Sequence, residues 1–175
     1  MLNSYRDFRQ EAEKNNFNYF LEVFNPQTKT GLNQLQLGEY VNDCILKTLA
    51  GQLKSERPLF LKIAYNGPKA MEELASYDPK NLIVGILGGG KGTTRDCFEL
   101  ISKSCKYGAK VALFGRKINL AEDQKLIVKT MRNVVNGMTS NEGVKFYHDQ
   151  LKKKKIKPDR SLDKDLMITE KVLKL

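Results

Sequence analysis

Four short apolar runs punctuate the chain: "NYFLEV" (18–23), "LFLKIAY" (59–65), "LIVGIL" (82–87) and "KVALF" (110–114). Each is followed by a stretch with helical periodicity. After the first, Tyr40, Val41, Cys44, Ile45, Thr48, Leu49 and Leu53 recur at the spacing of one helix face. After the second, Pro68 stands where a first-turn proline is tolerated, and "KAMEELAS" follows. Thr93 with Asp96 forms a capping-box pair before Phe98, Ile101 and Cys105. Asn119 with Glu122 repeats that signature before Ile127, Val128, Met131 and Val135. A last helix is predicted over about 140–154, ahead of the tail "KPDRSLDKDLMITEKVLKL". Strands alternating with helices at this spacing predict βα units and an α/β fold, with a parallel sheet covered on both faces.

Composition narrows the picture modestly. The 175 residues, 41% hydrophobic and 29% charged, suit one well-cored domain spanning 1–175 with a basic tail over 152–175. No apolar run approaches the roughly 20 residues of a spanning helix, and the first residues lack the apolar core of a signal peptide, so a cytoplasmic protein without a membrane partner is expected. Cys44, Cys97 and Cys105 fit no Cys-x-x-Cys spacing and read as reduced core thiols. The formal charge of +10 favours anionic partners. Much of that excess lies in "KKKKIK" (152–157), which has no interleaved aromatic residues for stacking on bases. It reads as a solvated helix end, and nucleic acid is not expected as a partner. The lone His148 falls in a helical stretch and reads as a surface or packing residue; no metal and no cofactor are implied.

The chemistry concentrates at the ends of the predicted strands, where ligands bind in parallel sheets. The segment "GILGGGKG" (85–92) partly matches the phosphate loop G-x-x-x-x-G-K-[ST] through Gly85, Gly90 and Lys91. Gly92, however, stands where the magnesium-binding hydroxyl belongs, and Gly85 lies inside the strand. A nucleotide hydrolase is therefore the weakest of the readings. The G-x-G-x-x-G fingerprint fails as well, because Thr93 follows Gly88 and Gly90 at the third glycine position. What survives is general: Gly88, Gly89 and Gly90 let backbone N–H groups approach an anion, and the following helix points its positive end the same way. The other reading is a tight turn and nothing more. The next strand also ends in a glycine, Gly115, followed by Arg116, whose planar fork suits a phosphate.

Lys62 falls in the middle of "LFLKIAY", sharing a face with Phe60 and Ala64. Burial there would lower its pKa, as Schiff-base chemistry with a carbonyl substrate requires. The alternative is a lysine that reaches solvent from the strand.

This order of features resembles the last three βα units of the class I (Schiff-base) aldolase superfamily of (β/α)8 barrels. The similarity is greatest to the archaeal-type fructose-bisphosphate aldolases and related tagatose-bisphosphate and deoxyribose-phosphate enzymes. "KIAY" supplies Lys62 and Tyr65 where that family carries its Schiff-base lysine and a tyrosine three residues on. "LGGGK" (87–91) matches its Gly-Gly turn, and "FGRKI" (114–118) its Gly-Arg strand end. By the same alignment "FLEVF" is the fifth strand, with Glu22 as a candidate carboxylate.

The resemblance implies a lyase of carbohydrate metabolism that makes or breaks a carbon–carbon bond in a phosphorylated ketose or related sugar. It implies Lys62, Tyr65 and Glu22 as catalytic residues, and Gly88, Gly89, Gly90, Gly115 and Arg116 as phosphate ligands. Tyr65 lies on the opposite face from Lys62 unless the backbone turns at Asn66 and Gly67. A complete barrel has eight strands in about 250 residues. Four strands here correspond to strands 5–8 of a partial barrel, so either a longer gene supplies the rest or a half-barrel closes against another chain as a homo-oligomer. The rival from another class is a non-catalytic phosphate-ligand or assembly module.

Overall fold

The computed structural model describes residues 2–175. A helix, α1 (Leu2–Lys14), precedes four strands: β1 (Leu21–Val23), β2 (Leu61–Ile63), β3 (Val84–Leu87) and β4 (Val111–Leu113). Between them lie α2 (Gln34–Leu49), α3 (Pro68–Tyr77) and α4 (Thr94–Lys106). After β4 come α5 (Arg116–Asn119), α6 (Gln124–Val135), α7 (Ser140–Lys153), α8 (Leu162–Asp165) and a final 3-10 turn at Lys171–Lys174. The strands form one parallel sheet in chain order, β1-β2-β3-β4. Among the described residues, β1 and β4 each lack an outer neighbour.

Register places Leu21, Leu61 and Val84 in one row and Val23, Ile63 and Ile86 in another. Leu61, Ile63, Val84 and Ile86 are buried in a core with Val41, Ile45 and Leu49 of α2 and Met71 and Leu74 of α3. A second cluster packs Phe98 and Ile101 of α4 against Ile127, Met131 and Val134 of α6 and Val144, Tyr147 and Leu151 of α7. The opposite sheet face carries the alternate residues and is not covered by helices of the described chain. Phe20 and Phe60 stack there with ring centroids 4.8 Å apart, and Phe20 and Ile83 are exposed. The expectation of a sheet covered on both faces is therefore corrected: the apolar strands reflect helix contact on one side and a half-open apolar surface on the other.

Two predicted helix starts held at their caps. Thr93 and Asp96 form the expected capping box of α4, and Pro68 is in the first turn of α3. Asn119 and Glu122 do not start a helix. Asp123 caps α6 by accepting from the Leu126 N–H at 2.9 Å, while Glu122 instead binds the Tyr147 hydroxyl and the Asp159 N–H. Of the three free thiols, Cys97 alone is buried; Cys44 and Cys105 are exposed, which corrects the core assignment for those two. No helix among the described residues is long and apolar enough to cross a membrane.

Candidate functional site

Parallel pairing in register brings Glu22, Lys62, Gly85 and Val111 into one row across the sheet. Because adjacent strands in register project side chains to the same side, Glu22 and Lys62 meet on the open face. Lys62 Nζ lies 2.8 Å from Glu22 Oε1, with the two side chains 22% and 29% exposed. The expected apolar enclosure of Lys62 is thus absent on this face, and a carboxylate is its nearest partner. A pair this accessible contributes about 0–1 kcal/mol, too little to be what joins β1 to β2. Next to Lys62, Gly85 has no side chain; a Cβ there would come within 3.0 Å of the Leu61 carbonyl oxygen and 3.1 Å of Val111 Cβ.

Tyr65 goes the other way. It is 5% exposed and belongs to the core between sheet and helices. Its hydroxyl is enclosed without a hydrogen-bond partner, and burial pushes its pKa up. The backbone turn at Asn66 and Gly67 does not return it to the side of Lys62: the side chains of Asn25 and Asn66 bond to each other at 2.8 and 2.9 Å, and Gly67, at φ +106°, leads directly into α3. A direct proton relay from Tyr65 to Lys62 has no geometric basis here.

The glycine-ended strands are neighbours, as expected, but their glycines differ in role. The Gly88 N–H donates to the Leu113 carbonyl at 2.9 Å, so it is already used. A Cβ on Gly88 would lie 2.2 Å from Phe114 Cδ1, which makes close packing between the two strand ends the reason for this glycine. Gly89 adopts φ +60°, a conformation glycine reaches without strain, and Gly90 has open space around its missing Cβ. Gly89 and Gly90 are exposed, as are Gly115 and Arg116 at the start of α5. The contrast is testable by denaturant unfolding. Gly88→Ala is expected to cost about 1–3 kcal/mol, as overpacking does. Gly90→Ala should leave the midpoint nearly unchanged.

A cavity of about 170 Å³ opens beside this turn, bounded by Tyr65, Gly88 to Gly92, Asp96, Cys97 and the last residues of the chain, Glu170, Val172 and Leu173. Lys62, Gly115 and Arg116 are not in its wall. Burial raises the Cys97 thiol to about 12, so this wall residue is a neutral thiol.

Several residues that bind this region together were not singled out by sequence reasoning. Lys117, buried beside the singled-out Arg116, reaches from α5 to α4 and donates to Thr94 Oγ1 at 3.2 Å, linking the two turns. Burial lowers its pKa. Asp165 accepts from the Thr94 N–H at 2.7 Å, and its other oxygen lies 2.9 Å from His148 Nε2. His148 is therefore a buried packing residue with a carboxylate partner, as one of the two readings had it. The basic stretch 152–157 is mostly solvated, with Lys154 paired to Asp123 at 2.5 Å.

The arrangement offers an amine paired with a carboxylate on an open sheet face and, at the ends of the next two strands, backbone donors, a lysine and an arginine. No family model matches the chain and no curated protein matches it, so its chemistry is read from this geometry.

Proposed function

We propose that the chain is the C-terminal half of a Schiff-base aldolase acting on a phosphorylated ketose or related sugar. The observation that carries this reading is the Glu22–Lys62 pair, 2.8 Å apart on the open face and one strand from the glycine turn. The winding supports it: strand order follows chain order without reversal, and the helices pack on one face. A doubly wound sheet reverses its strand order and carries helices on both faces, whereas a (β/α)8 barrel keeps chain order with helices outside. Four βα units are half of such a barrel. The other half, from a further stretch of chain or from a second copy, would pair with the free edges of β1 and β4 and cover Phe20 and Ile83.

In the proposed chemistry Glu22 takes a proton from the Lys62 ammonium, and the free amine adds to the substrate carbonyl carbon. Loss of water leaves an iminium. The bond between the carbon next to the iminium and the hydroxyl-bearing carbon beyond it then breaks. Glu22, its proton gone with the water, takes the hydroxyl proton; the electron pair of the bond flows into the iminium to give an enamine, and the far carbon leaves as the aldehyde. Protonation of the enamine carbon and hydrolysis return the amine. Gly89, Gly90, Gly115 and Arg116 hold the phosphate, and Gly88 shapes the turn; holding that end of the substrate positions its carbonyl for attack.

The test is borohydride reduction in the presence of a ketose phosphate, followed by peptide mass analysis. A stable adduct on Lys62 supports the enzyme. Phosphate binding with no adduct supports the rival reading, an anion-binding module without chemistry.

A further inference from the structure

The last part of the chain is tied down along one line. The Lys91 ammonium in the glycine turn contacts the carboxylate of Asp159. The Thr94 N–H donates to Asp165 at 2.7 Å, and the Thr93 hydroxyl donates to the Met167 carbonyl at 2.8 Å. Asp96 accepts the Thr169 N–H at 2.7 Å, the Thr169 hydroxyl at 2.5 Å and the Glu170 N–H at 3.2 Å. Beyond these ties Leu173 is buried in the main core.

All these anchors lie in the turn after β3 or in the first turn of α4. The cation and the helix N–H that an incoming anion would use are thus held by carboxylates of the same chain. Under this strap lies the cavity beside the glycine turn, with Glu170 of the strap and Asp96 in its wall.

We propose that residues 159–173 form an internal anion mimic, a strap whose carboxylates compete with a phosphate group for Lys91 and the glycine turn. Phosphate binding then loosens the strap, and the strap sets the threshold for binding. Asp159 is the adjustable contact because its side chain is 49% exposed, whereas Asp165 is buried and anchors the segment. The inference rests on the glycine turn being the phosphate site, but not on Lys62 chemistry.

The test is titration of the full chain with inorganic phosphate at fixed ionic strength, followed by calorimetry, for wild type, Asp159→Asn and Lys91→Met. The expected result is binding about fivefold tighter in Asp159→Asn, the scale of one partly exposed ion pair. Binding should be lost in Lys91→Met, and amide exchange across 162–173 should speed up in the wild type at saturating phosphate. Equal or weaker binding by Asp159→Asn, with Lys91→Met still inactive in binding, overturns the strap while leaving the phosphate site standing. No phosphate binding by any of the three proteins overturns both. Unfolding midpoints of the variants guard against misfolding, since Asp159 and Lys91 lie outside both core clusters.

Discussion

Lys62→Met is expected to eliminate the reductively trapped adduct completely, because among the described residues no other amine is paired with Glu22 on the open sheet face. A methionine keeps the length and apolar stem of the side chain, so the fold should survive with an unchanged circular dichroism spectrum and nearly the same unfolding midpoint. Glu22→Gln separates the roles of the pair. The amide can still hold the lysine in place but cannot take its proton, so adduct formation should slow at least tenfold without disappearing, with the initial rate as the readout. Tyr65→Phe provides the contrast: the hydroxyl has no partner and lies on the helix side, so the rate of adduct formation should not change. An adduct that persists in Lys62→Met would remove the proposed chemistry.

The second large effect concerns stability. Asp165→Ala should cost about 3 kcal/mol, because it orphans the Thr94 N–H and the His148 ring, each in a setting where an unmade hydrogen bond costs about 1–3 kcal/mol. Asp165→Asn should cost less, since its amide oxygen still accepts from Thr94. Urea midpoints at neutral pH distinguish the two; a loss below about 1 kcal/mol in the alanine variant would contradict this account.

Acid should act on the same anchors. Burial would push the carboxyls of Asp96 and Asp165 up. The hydrogen bonds to Asp96 from Thr169, Thr93 and Glu170 outweigh it, as do those to Asp165 from Thr94 and His148 with the nearby Lys117 charge, and both end below the ordinary range. A carboxyl depressed in the folded state stabilises the fold above its unfolded value of about 3.9, and that contribution disappears as pH falls through the folded value. The strap is therefore secure at neutral pH and weakens below about pH 4. The urea midpoint of the wild type should fall between pH 6 and pH 3 by more than that of Asp165→Asn.

How much of this was legible beforehand varies from residue to residue. The strands and the α4 cap were readable because apolar runs and a Thr-x-x-Asp box are local signals. Lys62 stood out because a charge interrupts an apolar strand. The resemblance pointed to Glu22 only as a candidate carboxylate; its pairing with Lys62 came from the strand register, since the two are far apart in the chain. The role of Gly88 was misjudged: a glycine in a turn looks the same whether it approaches an anion or the ring of Phe114. Asp159 and Asp165 looked like part of a charged tail, because nothing local says that a carboxylate will land on a helix start reached only after the chain has folded.

By itself the order of residues determined the α/β class, the chain positions of strands and caps, and the candidate amine with its two glycine-ended strands. Those are properties of neighbours along the chain, set by backbone sterics and the period of apolar positions. The tertiary structure alone decided that the helices cover a single sheet face, that Tyr65 and Lys62 part company, that Lys62 faces a carboxylate, and that the tail closes over the turn. Each depends on strand register and on packing between distant segments, where free energy is set by which groups meet in space, and sequence separation carries no record of that.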